Sequence, residues 1–288
     1  LRERSRNPNR EVWESPSVLR RRGCQVVMEN VPEILKAYGG IIRDEIVAHL
    51  ESWGYQVVTT SLNAAYYGVP QTRSRAFFLA SLERLPSLPQ ATHSGDIRSD
   101  YKAVKSWTQL TLLEPNIAPV TTVKDAISDL PTLEAGQAYD HEIYTREPET
   151  IYQQKMREQS QKIVNHIARA LTPIQMSRVQ ILAEGQDARD LPAELAPKKH
   201  YSGAYGRLSW DKPARTITRW FFHPGSGRFF HPTQNRTITI REAARLHSYP
   251  DHFHFLGTYT DMASQIGESV PPLLAKVVAD SMGQNLEY

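Results

Sequence analysis

The apolar run CQVVM at residues 24–28 ends on the acidic Glu29, which predicts a buried strand whose carboxyl end meets that residue. Ile41, Ile42, Ile46, Val47, Leu50 and Trp53 then recur at helical spacing, and Gly54 stands where a helix C-terminus favours a left-handed residue. YQVVTTSL at 55–62 reads as a second strand. AFFLAS at 76–81, just after a Gly-Val-Pro-Gln turn, reads as a third. Strand, helix and strand in this order predict an α/β domain with functional groups at the carboxyl ends of its strands.

After Leu82 the periodicity weakens. Residues 83–122 are rich in proline, serine and threonine, and 137–200 are largely polar, with an exposed helix predicted over 151–171. We read this middle as a small, irregular mixed unit inserted into the first domain. Regular patterning resumes where Thr239 and Glu242 take capping-box spacing before Ala243, Ala244 and Leu246, a helix that Pro250 stops. In PPLLAKVVADSMG, prolines open a last helix, Leu274, Val277, Val278 and Met282 share one side, and Gly283 closes it. The chain thereby divides into 1–82, 83–235 and 236–288.

Composition narrows the class. The 288 residues are 40% hydrophobic, enough to bury a core, and no apolar run approaches the ~20 residues of a membrane-spanning helix. The opening LRERSRNPNR lacks the apolar stretch of a secretory signal, and the single cysteine, Cys24, forms no intrachain disulfide. A reducing cytoplasmic setting is expected, at the nucleoid if the source is bacterial, and a thiolate-rich zinc cage is excluded. Net charge is +3, but residues 1–22 alone carry +4, so the remainder is close to neutral. Charge by itself does not single out a nucleic-acid partner.

Three separated patterns change the picture. VMENVP (27–32), PQTRSR (70–75) and TIREAARLHSYPDHFHFLG followed by QIGESVPP (239–257 and 265–272) resemble, in order, the later motifs of the DNA cytosine-5 methyltransferases. The resemblance covers roughly 20–82 and 205–283 and leaves the middle as the counterpart of the family's target-recognition domain. It implies a partial methyltransferase, Rossmann-like sheet with an inserted recognition domain, S-adenosylmethionine as methyl donor, and double-stranded DNA as substrate. In that chemistry a cysteine thiolate adds to carbon 6 of cytosine, carbon 5 is methylated, and the cysteine is then eliminated. Addition pushes charge toward N3 and O2, which an acid and a cation stabilise. The resemblance assigns the acid to Glu29, in a desolvated pocket walled by the VVM run, and the arginine pair to Arg73 and Arg75. Arg73 has a second reading, as a brace of the pocket or a phosphate contact.

The same resemblance marks what differs here. The family's Pro-Cys-Gln nucleophile loop and glycine-rich cofactor loop precede the Glu-Asn-Val motif and are not among these residues. Cys24 follows Gly23 and reads as an ordinary strand residue. The chain alone is therefore expected to be inactive, as a fragment or as a subunit completed by a second polypeptide. The competing reading is a DNA-binding or regulatory module without the chemistry. In the last motif Glu268 replaces the usual asparagine, so Glu268 and Ser269 are candidate cofactor contacts: the carboxylate would accept from the cofactor's ammonium and repel its carboxylate.

Among the remaining groups, Arg207, Arg215, Arg219 and Arg228 with Trp210 and Trp220 make a basic, aromatic cluster. It reads either as a DNA contact or as core plus solvated arginines. His223, His231, His252 and His254 lack the acidic or thiolate partners of a metal site, and GSG at 225–227 lacks the context of a phosphate loop.

Overall fold

The computed structural model describes residues 25–95, 97, 117–199 and 202–283. Cys24 and the arginine-rich segment 1–22 lie outside the described residues. The first region is a three-stranded sheet: β1 (Gln25–Asn30), β2 (Gln56–Asn63) and, after the two-residue β3 (Gln71–Thr72), β4 (Ser74–Ser81). The sheet order is β1-β4-β2, with β4 antiparallel to both neighbours. Ala76–Ser81 are buried, as a central strand covered on both faces requires, and this is why AFFLAS is an unbroken apolar run.

The period of two along β4 assigns its faces. Phe78 and Ala80 pack with Ile46 and Leu50 of α1 (Ile41–Ser52). Phe77 and Leu79 face the other way and pack with Leu274 and Val278 of the last helix, Pro272–Ser281, and with Met282 at its C-cap. Helix, sheet and helix thus form three layers, and the C-terminal helix returns to the sheet built by the first 82 residues. Gly54 and Gly283 hold φ of 89° and 90° where α1 and the last helix end, the left-handed turns expected of them.

The second region has little regular backbone. Its helices are short: α2 (Val123–Ile127), α3 (Ile151–Arg157), α4 (Pro173–Ile181), α5 (Ile240–Leu246) and α6 (Tyr259–Glu268), with α7 naming the last helix above. Its strands are pairs of residues, such as Glu142–Ile143 with Lys162–Ile163, and Ala214–Arg215 running parallel to β3. A single apolar cluster joins Val123, Ile127, Phe221 and Phe229 to Ile240, Leu246 and Ile266, so this core draws on both sides of position 235.

The helix predicted over 151–171 is corrected to seven residues, Ile151–Arg157. Thr150 and Gln153 start it with a reciprocal cap, but Glu158 turns extended and Gln159 takes φ of 61°. Beyond it Val164, His166 and Ala168 are buried at alternate positions, the period of extended chain. Both this stretch and the capped helix α5 place polar side chains inside.

Candidate active site

Because β1 and β4 are antiparallel, the end of one meets the start of the other, and Glu29 and Arg75 come together there. Arg75 Nε lies 2.8 Å from Glu29 Oε1, with the two side chains 13% and 26% exposed. Arg75 Nη1 also donates to the Ser74 carbonyl at 2.7 Å. The pair is held by two strands of one sheet, which fixes its geometry more firmly than a loop would. Val27 and Val31 share the Glu29 face of β1 and are about half exposed, at 48% and 49%. The desolvated pocket expected around Glu29 is therefore not closed by the described residues, because Val26 and Met28 face α1 instead.

Arg73 does not join that pair. It is buried, and its Nη1 donates to Ile217 O at 2.9 Å while Nη2 donates to Gly267 O and Ser269 O at 2.9 and 3.0 Å. Of the two readings offered by the sequence, the bracing one matches this placement. Gln71 completes the brace: its amide oxygen accepts from Ile217 N at 2.7 Å, and its Nε2 reaches Leu246 O and His247 Nδ1 at 3.1 and 3.0 Å. With Nδ1 accepting, the proton of His247 sits on Nε2, which lies 3.1 Å from Ser269 O. Burial first, and then Arg73, push the imidazole well below its ordinary range, so it is neutral. This polar hub ties the segments around 71–75, 214–217, 246–247 and 267–269 into one rigid junction behind the Glu29–Arg75 pair.

The candidate cofactor turn is part of that junction. A Cβ at Gly267 would lie 2.1 Å from Arg219 N and 2.4 Å from Thr218 C, so only glycine lets α6 cross this backbone. Ser269 Oγ donates to Ile266 O at 2.9 Å, and Glu268 reaches outward to Arg219 Nη1 at 3.1 Å, both side chains being more than half exposed.

The basic cluster divides. Arg207 is buried, and burial lowers its pKa; it donates to Val179 O, Leu182 O, His231 O and Gln234 O at 2.6–2.8 Å and to Asn235. Arg228 spends its donors on Gly185 O, Gln186 O, Arg207 O and the Asp187 carboxylate. Arg207 has all five donors engaged by the protein, and Arg228 commits both Nη groups to it, so in this structure the two stitch loops together. Arg215 lies in the strand beside β3, half-buried, and Arg219 stands outside.

Sequence reasoning missed the buried arginines in and just before α5. Arg236 makes a bidentate pair with Glu242, 2.7 Å on each arm, and Arg245 joins Asp251 and Asp129 in the interior. Burial alone would raise the Glu242 carboxyl, but Arg236 outweighs it and holds the group well below the usual carboxylate range. The signal was there in part: Glu242 carries the capping box, and its Oε2 accepts from Thr239 N at 2.7 Å. Among the described residues no helix is long and apolar enough to cross a membrane.

Comparison with known proteins gives these motifs a family. The model for C-5 cytosine-specific DNA methylases matches residues 19–284. Type II methyltransferase M1.HphI of Haemophilus parahaemolyticus is 31% identical over 256 residues, 89% of this chain and 55% of that protein. Type II methyltransferase M.DdeI of Desulfomicrobium norvegicum is 32% identical over 284 residues, 91% of this chain and 63% of that protein. The chain thus spans between about half and two thirds of the length of these two relatives. A solved putative DNA modification methyltransferase encoded within an E. coli prophage shares the fold, with a TM-score of 0.63 at 22% identity over 90% of this chain and 69% of that one. The family match takes in all three motifs and the irregular middle between them, and the chain belongs to the C-5 cytosine-specific DNA methylase family.

Proposed function

We propose that this chain forms the acid, arginine and recognition portion of an enzyme that transfers a methyl group to carbon 5 of cytosine at a specific site in double-stranded DNA. The observation that carries the reading is the Glu29–Arg75 pair, 2.8 Å apart at the meeting ends of β1 and β4. Nucleophilic addition to carbon 6 drives negative charge onto N3 and O2 of the ring. Glu29 meets N3 as a proton or hydrogen-bond donor. Arg75 orients Glu29 through Nε and supplies the positive charge that stabilises O2. Carbon 6 is out of reach in a stacked base, so the cytosine enters this site extruded from the duplex. The thiolate comes from upstream residues, in the same polypeptide or in a second one. The open side of Glu29, beside exposed Val27 and Val31, is where that portion closes the pocket.

S-adenosylmethionine is the methyl donor of the family. The 267–270 turn fits its amino-acid end. Exposed Glu268 accepts from an ammonium, and Arg219, 3.1 Å from that carboxylate, offsets the repulsion Glu268 would exert on the cofactor's own carboxylate. Ser269 is held in place through its backbone oxygen by Arg73 and His247. Sequence choice is assigned to 83–235, whose irregular segments are the kind that carry side chains to base edges.

Glu29→Gln, in the enzyme completed in cis or in trans, tests the reading. It keeps the shape and removes the transferable proton, so methyl transfer slows by ~10²-fold or more while DNA affinity changes little. Near-normal turnover in a labelled-methyl assay would reduce Glu29 to a structural partner of Arg75. The chain without its upstream portion is expected to transfer nothing.

A further inference from the structure

Arg207 and Arg228 give most of their donors to the loops around them, and the outward-facing cations and rings lie in other segments. Five side chains from two separated segments form an unbroken row. Arg169 lies over the Phe222 ring with its Cζ 4.8 Å from the centroid, Phe222 lies 4.5 Å from His223, and His223 lies 5.6 Å from Trp220. Arg219 then covers Trp220 at 5.0 Å. Arg169, Arg219, Trp220 and His223 are exposed, while Phe222 is buried and anchors the row.

The geometry points to this row as a DNA-contact surface, with Arg169 a phosphate ligand and Trp220 an aromatic platform beside it. A guanidinium set against aromatic rings, as Arg169 is against Phe222 and Tyr259, is positioned by them without spending its N–H donors, which a phosphate can take bidentately. Among the described residues Arg169 makes no ion pair, and Arg219 meets Glu268 through Nη1 alone, with its side chain half exposed. His223, pushed below its ordinary range by burial first and then by Arg169, serves as a neutral hydrogen-bonding group rather than a third cation. The supporting turn is rigid. Ser226 Oγ lies 2.5 and 2.7 Å from the Trp220 and His223 carbonyls, and a Cβ at Gly227 would come 2.4 Å from the Phe229 ring. The row continues into the site already described, because the segment that ends in Arg219 and Trp220 begins as the strand paired with β3 and passes Arg73 through Ile217 O.

The proposal rests on the DNA-methylation reading, and the test separates the two. Fluorescence anisotropy of the full chain with a mixed-sequence duplex is recorded between 50 and 200 mM salt, roughly the range over which phosphate contacts dominate the change. Arg169→Gln is expected to weaken binding about 5- to 10-fold and to lower the log–log salt slope by about 1. Trp220→Ala, which removes the ring that Arg219 covers, weakens it about 2- to 5-fold with the slope unchanged, and Trp220→Phe restores most of the loss. Arg43→Gln, an exposed arginine on α1 paired with Asp44, is the control and leaves both quantities unaltered. Unchanged thermal melting of Arg169→Gln excludes a folding effect. Binding that Arg169→Gln leaves unchanged in level and slope overturns this surface and leaves the Glu29–Arg75 reading standing. No duplex binding, by the chain or by the completed enzyme, overturns both.

Discussion

The sheet of residues 25–82 and the region 117–268 satisfy the same requirement by different means. In the sheet, β4 gives its backbone groups to β1 and β2 in continuous ladders, and side chains are left to pack α1 on one face and α7 on the other. In the second region the strands are two residues long, so buried carbonyls find no strand to pair with. Arginines meet them. Arg207 takes those of Val179, Leu182, His231 and Gln234, Arg241 takes Val164, Pro250 and Phe253, and Arg73 takes Ile217, Gly267 and Ser269. A guanidinium has five donors in a fixed plane and stays charged, so one side chain does the work of several ladder bonds. Irregular backbone can therefore be buried, at the cost of making the region depend on a few ions.

The sharpest way to break that comparison is Arg245→Leu. Arg245 Nη1 reaches Asp129 Oδ1 and its Nε and Nη2 hold Asp251, all with no exposed surface. Leucine leaves both carboxylates buried and short of a cation, a loss of about 3–5 kcal/mol. Urea unfolding measures it. A loss below about 1 kcal/mol would mean that Arg157 and Arg241, the other cations beside these carboxylates, carry the network alone.

Acid should act on the second region first. His166, His231 and His247 are buried and held below their ordinary range, His231 to about 3, with burial the largest cause in each. An unfolded histidine takes its proton near 6.5, before the folded one does, so the stabilisation is complete above about pH 6.5 and is lost as pH falls toward the folded values. Each group contributes up to ~1.4 kcal/mol per pH unit in that window. His231→Asn keeps an acceptor near the backbone N–H groups of Thr233 and Gln234, which lie 3.2 and 3.0 Å from Nδ1. It should flatten the decline between pH 6.5 and 4.5 by roughly one histidine's share. An unaltered slope would take His231 out of the acid response.

The two regions were also unequally legible in the sequence. CQVVM, YQVVTTSL and AFFLAS became β1, β2 and β4 within a residue or two, because short β-branched or apolar runs bounded by turn residues read as strands; only β4 is also buried throughout, and β1, expected to be buried, is half-exposed. Glu29 and Arg75 could be paired in advance only through the motif resemblance; their contact depends on β1 and β4 being antiparallel neighbours, which periodicity does not state. The middle hid its core because its carbonyls are met by arginines that look solvated in a string of letters. Arg207 and Arg228 read as a nucleic-acid patch for that reason, and the alternation of Val164, His166 and Ala168 was hidden by the polar residues between them. Arg169 escaped notice because it meets Phe222 only after more than fifty residues of intervening chain are folded.

The smallest expected effect separates two arginines that one cluster had joined. Arg219 and Arg207 lie twelve positions apart and carry the same charge, but Arg219 is 51% exposed and its partner Glu268 is 59% exposed. Water and salt screen such a pair, and holding two long side chains together offsets much of the remaining attraction. Arg219→Gln should therefore change unfolding stability by no more than about 0.5 kcal/mol. It should still weaken duplex binding and flatten the salt slope, since the charge lost is one that faces solvent. A stability loss of ~2 kcal/mol or more, the range of a buried hydrogen-bonded charge, would show that Arg219 braces the crossing at Gly267 as Arg207 braces its loops. The split between an inner, structural set of arginines and an outer, solvent-facing one would then have to be redrawn around that crossing.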